Sequence, residues 1–273
     1  MGNGAMTNSG QNLNILFVVQ NDPFYVKEFF DEFLKNSNNL SEIKGVIICS
    51  ALGKKLAPEL IAQMYNFYGL WGFVQMGFRF VGKKMMALLT NRLPFKNSYT
   101  LEQLFNRHKL YVEKRDDINS QLFIDEWKRK NIDIIISVAS SVIFKTQLLN
   151  MPRFGCINIH HGKLPRYRGM MPNFWQMYNN EKTAGITIHR INSKIDDGEI
   201  IQQKEIEILP DETLDHLIIR SKRLGAELMI GAINRIKEGS VSCAKNRPQD
   251  ASYYSFPQKK DVKEFMKRGK RIV

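Results

Sequence analysis

The segment formed by residues 157–169 constrains the fold of this chain more than any other; it reads Ile-Asn-Ile-His-His-Gly-Lys-Leu-Pro-Arg-Tyr-Arg-Gly. A short apolar run over residues 156–159 predicts a buried strand, and the proline and final glycine that follow predict a loop. Asn158 and His160 lie two positions apart, so their side chains point to the same face of that strand. The pattern therefore predicts an amide and an imidazole side by side beyond the carboxyl end of a strand, where open α/β sheets place their chemistry.

A second segment supplies a carboxylate. Residues 186–191 alternate as a strand does, and Asp196, Asp197 and Gly198 then predict a turn before another strand. An amide, an imidazole and a carboxylate are the groups that acyl transfer needs when the nucleophile belongs to the substrate, because they stabilise an oxyanion and accept a proton.

The order and spacing of these residues resemble the folate-dependent formyltransferases, a family that includes methionyl-tRNA, glycinamide ribonucleotide and sugar N-formyltransferases. The residues that carry the resemblance are Asn158, His160, Leu164, Pro165, Gly169, Pro172, Ile195, Asp196 and Gly198. It covers roughly residues 132–209 and, more loosely, the strand at Leu13. The chain departs from the family pattern at Gly162, where many members carry serine, and at His161, where proline is frequent.

The resemblance implies an α/β fold with a Rossmann-like, mostly parallel sheet of the formyltransferase type, helices on both faces and a small C-terminal α+β appendage. The layout is closest to that of sugar N-formyltransferases. We expect residues 1–10 to be a disordered tag or tail and residues 11–210 to form the catalytic domain, with an aromatic helical insertion over residues 55–95. We expect residues 211–273 to form a C-terminal helix and the appendage.

The apolar periodicity predicts the elements of this layout. Strands are predicted over residues 13–19, 43–50, 108–112, 132–138 and 200–208, in addition to the two described above. Helices are predicted over residues 23–34, 119–129 and 211–237, with a helix start at Pro172. The tail predicts a strand or two over residues 253–257 and a basic helix over residues 259–268, which could close a dimer.

The resemblance assigns the catalytic roles to Asn158, His160 and Asp196. It implies that an imidazolium His160 and the Asn158 amide stabilise the oxyanion, while Asp196 keeps His160 charged and relays the proton. Adjacent carboxylates in an extended segment cannot both point inward, so we assign Asp197 to the turn before Gly198.

The resemblance also nominates ligand-binding residues. The folate candidates, by analogy with the segment that lines the pteridine slot in the family, are Val138, Ala139, Ser140, Ser141 and Ile195. A plain loop is the alternative interpretation of that segment. The substrate-binding candidates, beside the site, are Lys163, Arg166, Tyr167 and Arg168. Their cations could hold a diphosphate or the folate carboxylates, and a solvated basic loop is the alternative.

The remaining histidines and the cysteines carry less information. His161 is expected to point away from the site and His189 to lie on the polar face of its strand, and no pair of histidines has metal-binding spacing. Three widely separated cysteines favour a reducing compartment over a disulfide framework or a zinc site. We therefore expect no metal. No run of 18 apolar residues and no signal peptide are evident, so a cytoplasmic location is expected.

The net charge of +13 suits an acidic partner: a nucleotide-linked substrate, the glutamate tail of a folate, RNA or an anionic membrane surface. The first predicted strand-to-helix connection, residues 20–25, has no glycine, which disfavours a bound phosphate there and hence glycinamide ribonucleotide. Because only a short stretch follows Gly239, we expect no barrel domain of the kind that the transfer-RNA members of the resembled family carry. The expected acceptor is therefore the amine of a nucleotide-linked amino sugar, formylated for a surface polysaccharide, with 10-formyl-tetrahydrofolate as donor.

Several alternatives remain open at this point. The chain could be a methionyl-tRNA-type formyltransferase without the barrel, a formyl-tetrahydrofolate hydrolase, or a non-catalytic binder of nucleic acid or membrane; DNA binding is not expected. The aromatic, Met-rich stretch over residues 64–81 is flanked by the pairs Lys54-Lys55 and Lys83-Lys84. One interpretation makes it a helical pair that packs on the domain or on a dimer partner. The other makes it a basic aromatic surface that touches a membrane or a lipid-linked sugar.

Overall fold

The computed structural model of the protein describes residues 12–38, 40–50, 57–90 and 97–273. The predicted tail, the Lys54-Lys55 pair and both ends of the predicted insertion lie outside these ranges. Everything below concerns the described residues.

A seven-stranded sheet forms the centre of the protein. Its strands are β1 (Ile15–Gln20), β2 (Ile43–Cys49), β3 (Val112–Lys114), β4 (Ile134–Val138), β5 (Cys156–His160), β7 (Thr183–Arg190) and β8 (Ile200–Glu207). They lie in the order β3-β2-β1-β4-β5-β7-β8. The first five are parallel to one another, whereas β7 and β8 are antiparallel to their neighbours. The mostly parallel sheet is confirmed.

The apolar sequences of the central strands explain why they lie in the middle of the sheet. Every residue of β4 is buried, as expected of a parallel strand covered on both faces. In β1 the side chains alternate between two apolar clusters: Phe17 joins the cluster on one face, and Leu16 and Val18 join the cluster on the other.

Helices cover both faces of the sheet. They are α1 (Val26–Asn36), α2 (Ala57–Thr90), α3 (Leu101–Arg107), α4 (Gln121–Arg129), α5 (Thr146–Leu149), α6 (Pro172–Tyr178), α7 (Leu214–Glu238) and α8 (Lys259–Lys267). The buried residues of α1 and the buried apolar residues of α7 from Ala226 onward belong to the Phe17 cluster, and those of α4 belong to the Leu16 cluster. Helix α7, which the sequence placed with the C-terminal appendage, therefore packs on the main sheet beside α1 and contributes to the central core.

Two local elements differ from the sequence-based expectation. Residues 108–111 do not form a strand: His108 ends the unpredicted helix α3, and β3 begins only at Val112. Helix α3 forms because the Thr100 side chain accepts a hydrogen bond from the Gln103 amide, which caps its first turn. In α2, Gly69 has a φ of 67°, so the element consists of two helical segments that meet at this residue.

The C-terminal segment packs against the end of the sheet that carries residues 160–178. Strand β9 (Tyr253–Tyr254) pairs with β6 (Arg168–Gly169), and α8 follows it. A third apolar cluster joins α2, α6 and α8; the Phe174 and Phe265 rings stack within it with centroids 4.6 Å apart. The strand predicted within residues 253–257 and the helix predicted over residues 259–268 are confirmed.

Candidate active site

Strands β5 and β7 bring Asn158 and His189 together as direct partners across an antiparallel ladder. The amide Nδ2 of Asn158 lies 3.2 Å from Nε2 of His189, and Nδ1 of His189 lies 2.8 Å from the carbonyl oxygen of Arg190. Because a carbonyl oxygen only accepts hydrogen bonds, Nδ1 carries a proton and donates to it, and Nε2 accepts a hydrogen bond from the Asn158 amide. His189 does lie on the polar face, as predicted, but that face is the site itself, and the ring orients the Asn158 amide.

His160 ends β5 on the same face and is buried. Its Nε2 lies 2.7 Å from the carbonyl oxygen of Tyr167, so Nε2 carries a proton and donates it. Its Nδ1 faces Oδ2 of Asp196 at 3.4 Å. Burial lowers the pKa of His160 below its ordinary value, although the Asp196 carboxylate opposes this shift. The imidazolium expected for His160 stays a prediction, and Nδ1 of the ring faces the Asp196 carboxylate.

Asp196 lies in the turn between β7 and β8 and faces both histidines. Its Oδ2 accepts a 2.9 Å hydrogen bond from the Gly169 amide, and its Oδ1 lies 3.5 Å from Nε2 of His189. Burial would raise the pKa of Asp196, but His160, His189 and the Gly169 amide together hold it well below its ordinary value. The three residues predicted from the sequence are therefore brought together, with Asp196 as a permanent carboxylate.

The C-terminal segment holds the Asp196 turn in place through Asn246. The Asn246 amide donates hydrogen bonds of 2.9 and 3.0 Å to the carbonyl oxygens of Asp196 and Gly198. Its Oδ1 accepts a 2.8 Å bond from Arg168, whose guanidinium also pairs with Asp197. Asp197 is thus a structural partner of the turn, as predicted, and Asn246 is a site residue that sequence reasoning missed.

The same segment fixes the loop that carries the hydrogen-bond acceptor of His160. The Tyr167 amide donates to Oγ of Ser252 at 2.9 Å, and β6 pairs with β9 immediately afterwards. Gly169 has a φ of 95°, and a Cβ added there would lie 2.2 Å from the carbonyl oxygen of Tyr254. Only glycine fits this position, which explains a motif residue that the resemblance supplied without a reason.

The four predicted substrate-binding residues all have partners within the protein. Lys163 pairs with Glu205, and Arg166 pairs with Glu181 at 3.0 Å. The Tyr167 hydroxyl also donates to Glu181. Arg168 requires a correction: it is buried against Asp197 and Asn246, so its role is to hold the loop rather than to meet a substrate.

Of the predicted folate residues, one is buried in the core, and the others lie in turns after β4 and β7. The Val138 side chain is fully buried in the core, so it is corrected to a packing residue. Ala139 follows with a φ of 56°, a left-handed conformation that turns the chain at the carboxyl end of β4. The Ser141 hydroxyl donates to the carbonyl oxygen of Ser50 at 2.8 Å. Ile195, beside Asp196, is exposed. Their assignment to the folate stays a prediction.

The opposite face of β5 carries a second histidine with different surroundings. His161 is buried under α7 beside Gly225, and neither ring nitrogen has a hydrogen-bond partner in the described part of the chain. Burial and the nearby Lys222 hold the pKa of His161 well below its ordinary value. Lys222 is itself buried, which lowers its pKa to about 8 against the opposing charge of Asp22. His161 points away from Asp196, as predicted. Lys222, on the buried side of α7, was not singled out from the sequence.

The carboxyl end of β1 is closed by a side-chain cap. Oδ1 of Asp22 accepts hydrogen bonds of 2.6 Å from the amides of Phe24 and Tyr25, in the turn that precedes α1. The Asp22 carboxylate thus occupies two amides of this turn that could otherwise bind an anion.

Among residues 12–38, 40–50, 57–90 and 97–273, no group of three or more His, Cys, Asp and Glu side chains is placed to hold a metal ion. Within the same ranges, no helix has both the length and the apolar character needed to cross a membrane.

An α/β sheet with an amide, two imidazoles and a carboxylate at the end of one strand defines a protein equipped for acyl transfer. Residues 94–233 match the family model described as formyl transferase, and the chain belongs to that family. The methionyl-tRNA formyltransferase of Thermodesulfovibrio yellowstonii is 37% identical over 150 residues, which are 55% of this chain and 47% of the relative. That of Fusobacterium nucleatum subsp. nucleatum is 32% identical over 169 residues, 62% of this chain and 51% of the relative. The chain spans about half the length of the curated relatives it matches.

Solved structures share the fold over most of the chain. A sugar N-formyltransferase from Shewanella sp. FDAARGOS_354 has a TM-score of 0.55 at 18% identity, with coverage of 88% of this chain and 76% of that one. An N-formyltransferase from Helicobacter canadensis, in complex with folinic acid and dTDP-3-aminofucose, gives 0.54 at 19% identity, with coverage of 89% and 71%. Glycinamide ribonucleotide transformylase 1 from Symbiobacterium toebii gives 0.56 at 16% identity, with coverage of 88% and 97%. The predicted α/β formyltransferase fold is confirmed.

Proposed function

We propose that this protein transfers a formyl group from 10-formyl-tetrahydrofolate to a primary amine. The observation that carries the proposal is the group formed by Asn158, His160, His189 and Asp196, linked by contacts of 3.2 to 3.5 Å at the end of β5. This group provides a hydrogen-bond donor, a neutral base and a carboxylate within a fold of the formyl transferase family.

The geometry supports a specific division of labour. The amine nitrogen attacks the formyl carbon, and the second hydrogen of the Asn158 amide is donated to the oxyanion that forms; one such donor is worth about 3 kcal/mol of transition-state stabilisation. Nδ1 of His160 accepts the proton that the amine loses, and Asp196 pairs with the resulting imidazolium. The proton then passes to the departing N10 of tetrahydrofolate as its bond to carbon breaks, which leaves the formamide product.

Residues at the edge of the site support the folate donor. Ala139, Ser140 and Ser141 are small and lie at the carboxyl end of β4, next to β5 in the sheet, and Ile195 is an exposed apolar side chain beside Asp196. Small residues let a flat ring approach the backbone, and the apolar side chain can cover it. The Helicobacter canadensis structure contains folinic acid, a formyl folate, in the same fold.

The acceptor that we favour is the amine of a nucleotide-linked amino sugar, as in surface polysaccharide biosynthesis. The dTDP-3-aminofucose of the Helicobacter canadensis complex supports this class. Fold similarity extends equally to the glycinamide ribonucleotide enzyme, so it does not discriminate between the two. The turn between β1 and α1 supports an amino sugar, because a substrate phosphate bound by the Phe24 and Tyr25 amides would have to displace the Asp22 carboxylate.

A methionyl-tRNA acceptor is the second candidate. The observation that favours it is the 32% to 37% sequence identity to methionyl-tRNA formyltransferases over 150 to 169 residues. The net charge of +13 suits a nucleic acid as well as a nucleotide.

An absorbance assay for tetrahydrofolate release tests both candidates. The protein is incubated with 10-formyl-tetrahydrofolate and, separately, with each member of a panel of nucleotide-linked amino sugars, with methionyl-tRNA, or with no acceptor. The product is then identified by mass. We expect turnover with an amino sugar and a mass increase of one formyl group. Turnover only with methionyl-tRNA would establish the second candidate, release without acceptor would indicate a hydrolase, and absence of release throughout would contradict the proposal.

A further inference from the structure

Helix α2 exposes a continuous line of large apolar side chains, which we call the outer stripe. It consists of Trp71, Val74, Phe78, Val81, Met85 and Leu88. Their spacing of three and four residues places them along one side of the helix. Each is between 39% and 82% exposed, with Trp71 at 82% and Phe78 at 75%.

The opposite side of α2 is fixed to the protein. Met76 and Ala87 are buried on that side. Between them, the Arg79 guanidinium pairs with Asp215 at 3.1 Å, and the Lys83 ammonium donates to the carbonyl oxygen of Pro23 at 3.0 Å. These contacts determine the rotation of the helix about its axis, so the outer stripe faces away from the protein as a consequence of packing.

Helix α2 exposes more large apolar side chains than the rest of the described surface does. Twelve of the twenty exposed large apolar side chains belong to this one helix. Scattered exposed apolar residues are normal, whereas a contiguous patch marks an interaction site.

The charge of α2 favours an anionic partner over a second copy of the chain. After Glu59 the helix has no acidic residue, and Lys84 projects beside the stripe with its ammonium 4.7 Å from the Phe80 ring centroid. Two copies in contact through this helix would bring cations together without carboxylates to pair them, and each copy has a net charge of +13. Anionic headgroups supply the missing negative charge.

We propose that the outer stripe of α2 docks the protein on the surface of an anionic lipid bilayer. Trp71 and Phe78 lie at the headgroup level, Val81, Met85 and Leu88 reach the acyl boundary, and Lys84 contacts lipid phosphate. The helix lies in the plane of the interface, since it is not apolar enough to span the membrane. This proposal does not depend on the identity of the formyl acceptor.

Tryptophan fluorescence provides a direct test because Trp71 is the one exposed tryptophan of the three; Trp127 and Trp175 are buried. The full chain is titrated with vesicles of phosphatidylethanolamine and phosphatidylglycerol, and in parallel with vesicles of phosphatidylcholine. We expect a blue shift and quenching by brominated acyl chains with the anionic vesicles, a much smaller response with phosphatidylcholine, and weakening of the response at high salt. The Trp71→Phe variant provides the background from the two buried rings.

Vesicle co-sedimentation of two matched double variants tests the surface. Phe78→Ser with Met85→Ser removes two members of the stripe, and we expect the partition coefficient to fall at least about ten-fold, given the free energy of burying two large apolar side chains. Leu122→Ser with Ile143→Ser removes two side chains of similar exposure, 69% and 67%, elsewhere on the surface and should leave partitioning unchanged. Lys84→Gln should reduce binding to anionic vesicles by about five-fold. Thermal melting confirms that each variant is folded.

Two results would overturn the proposal. One is the absence of a lipid effect: the Trp71 spectrum does not change with anionic vesicles, or the Phe78→Ser/Met85→Ser variant binds vesicles as well as the wild type does. The other is a blue shift that grows with protein concentration in the absence of lipid, accompanied by a dimer in sedimentation velocity that the same variant abolishes. That second result would assign the stripe to a contact between copies of the chain.

Discussion

The two faces of β5 place neighbouring histidines in opposite electrostatic surroundings. His160 and His161 are buried to nearly the same extent, 6% and 7% exposed. On the His160 face each ring nitrogen meets an oxygen, one from the Tyr167 carbonyl and one from the Asp196 carboxylate. On the His161 face both ring nitrogens are without partners among the described residues, and the charge of the Lys222 ammonium acts on that ring.

Because His160 and His161 are almost equally buried, the difference between their pKa values comes from the charges around them. Burial lowers the pKa of both rings, but only His160 has a carboxylate that opposes the shift. His160 can therefore accept a proton and be stabilised as an imidazolium, whereas a proton on His161 would add a second buried cation beside Lys222. The strand end thus has one usable base and one inert imidazole, and the carboxylate makes the difference.

The largest expected effect comes from removing that carboxylate. In Asp196→Asn the amide keeps the shape of the side chain but cannot neutralise a protonated His160, so kcat should fall by about 10² to 10⁴-fold. The measurement is the rate of tetrahydrofolate release with the acceptor identified in the panel. Asp211→Asn, at an exposed aspartate outside the site, is the control and should retain the wild-type rate. Equal rates for Asp196→Asn and the control would mean that Asp196 has no part in the chemistry.

The next effect tests the position of the His160 ring. A Cβ added at Gly162 would lie 2.6 Å from Nε2 of His160 and 2.9 Å from the carbonyl oxygen of Tyr167. Gly162→Ala must therefore push the ring away from its acceptor, and we expect kcat to fall by about 10 to 100-fold, since small displacements of catalytic groups are costly. Gly77→Ala, where nothing lies within 4 Å of the added methyl group, is the matched control. A wild-type kcat in Gly162→Ala would show that the hydrogen bond to Tyr167 is dispensable.

The His160 face could be predicted from the sequence to a large extent. Ile- and Val-rich strands and the spacing of Asn158, His160 and Asp196 are local signals, and they identified the parallel sheet and the three central residues. His189 could be placed on the polar face of its strand but not opposite Asn158, because the register of β5 and β7 is a property of the folded sheet. Asn246 could not be found at all, because its bonds to the Asp196 turn span about 50 residues.

The His161 face was harder to predict because its chemistry depends on a helix that is distant in sequence. Lys222 lies on the buried side of α7, as do Ser221 and Gly225, and Gly225 lies close to Ile159 and His161. A lysine among apolar helix positions was the one available signal. The short strand β3 was misplaced for a different reason: it has three residues, and Leu110 and Tyr111, just before it, are apolar residues that also suit a strand.

A smaller effect is expected from the ring that orients Asn158. His189→Ala removes the acceptor of one amide hydrogen, so the Asn158 side chain can rotate, and we expect kcat to fall about ten-fold with little change in KM. In His189→Gln the side-chain oxygen can accept the same hydrogen, and part of the activity should return. His108→Ala removes a histidine at the end of α3, outside the site, and should have no effect. Loss of stability without loss of kcat in His189→Ala would assign His189 to packing alone.

The smallest effect on catalysis is expected from Lys222, on the other face of the strand. The Lys222 charge lowers the pKa of His160, so Lys222→Met should raise that pKa and move the acid limb of the kcat/KM profile to higher pH, with a change of less than about two-fold in the maximal rate. Lys259→Met, at an exposed lysine on α8, should leave the profile unchanged. An acid limb at the same pH in Lys222→Met and the wild type would show that the two faces of β5 are electrostatically independent.

The free energy of unfolding of Lys222→Met should differ from that of the wild type by an amount that depends on pH. Burial lowers the pKa of Lys222 from its ordinary 10.5 to about 8, so the folded state binds fewer protons than the unfolded state between these two values. Wild-type stability should therefore rise as the pH increases from about 8 towards 10.5, and the penalty is fully present at pH 7. Lys222→Met lacks this penalty and should be more stable than the wild type by roughly 1 to 3 kcal/mol at pH 7, with a smaller difference at pH 9.5. Urea unfolding at both pH values measures the difference, and a constant difference would mean that the Lys222 ammonium is solvated in the folded protein.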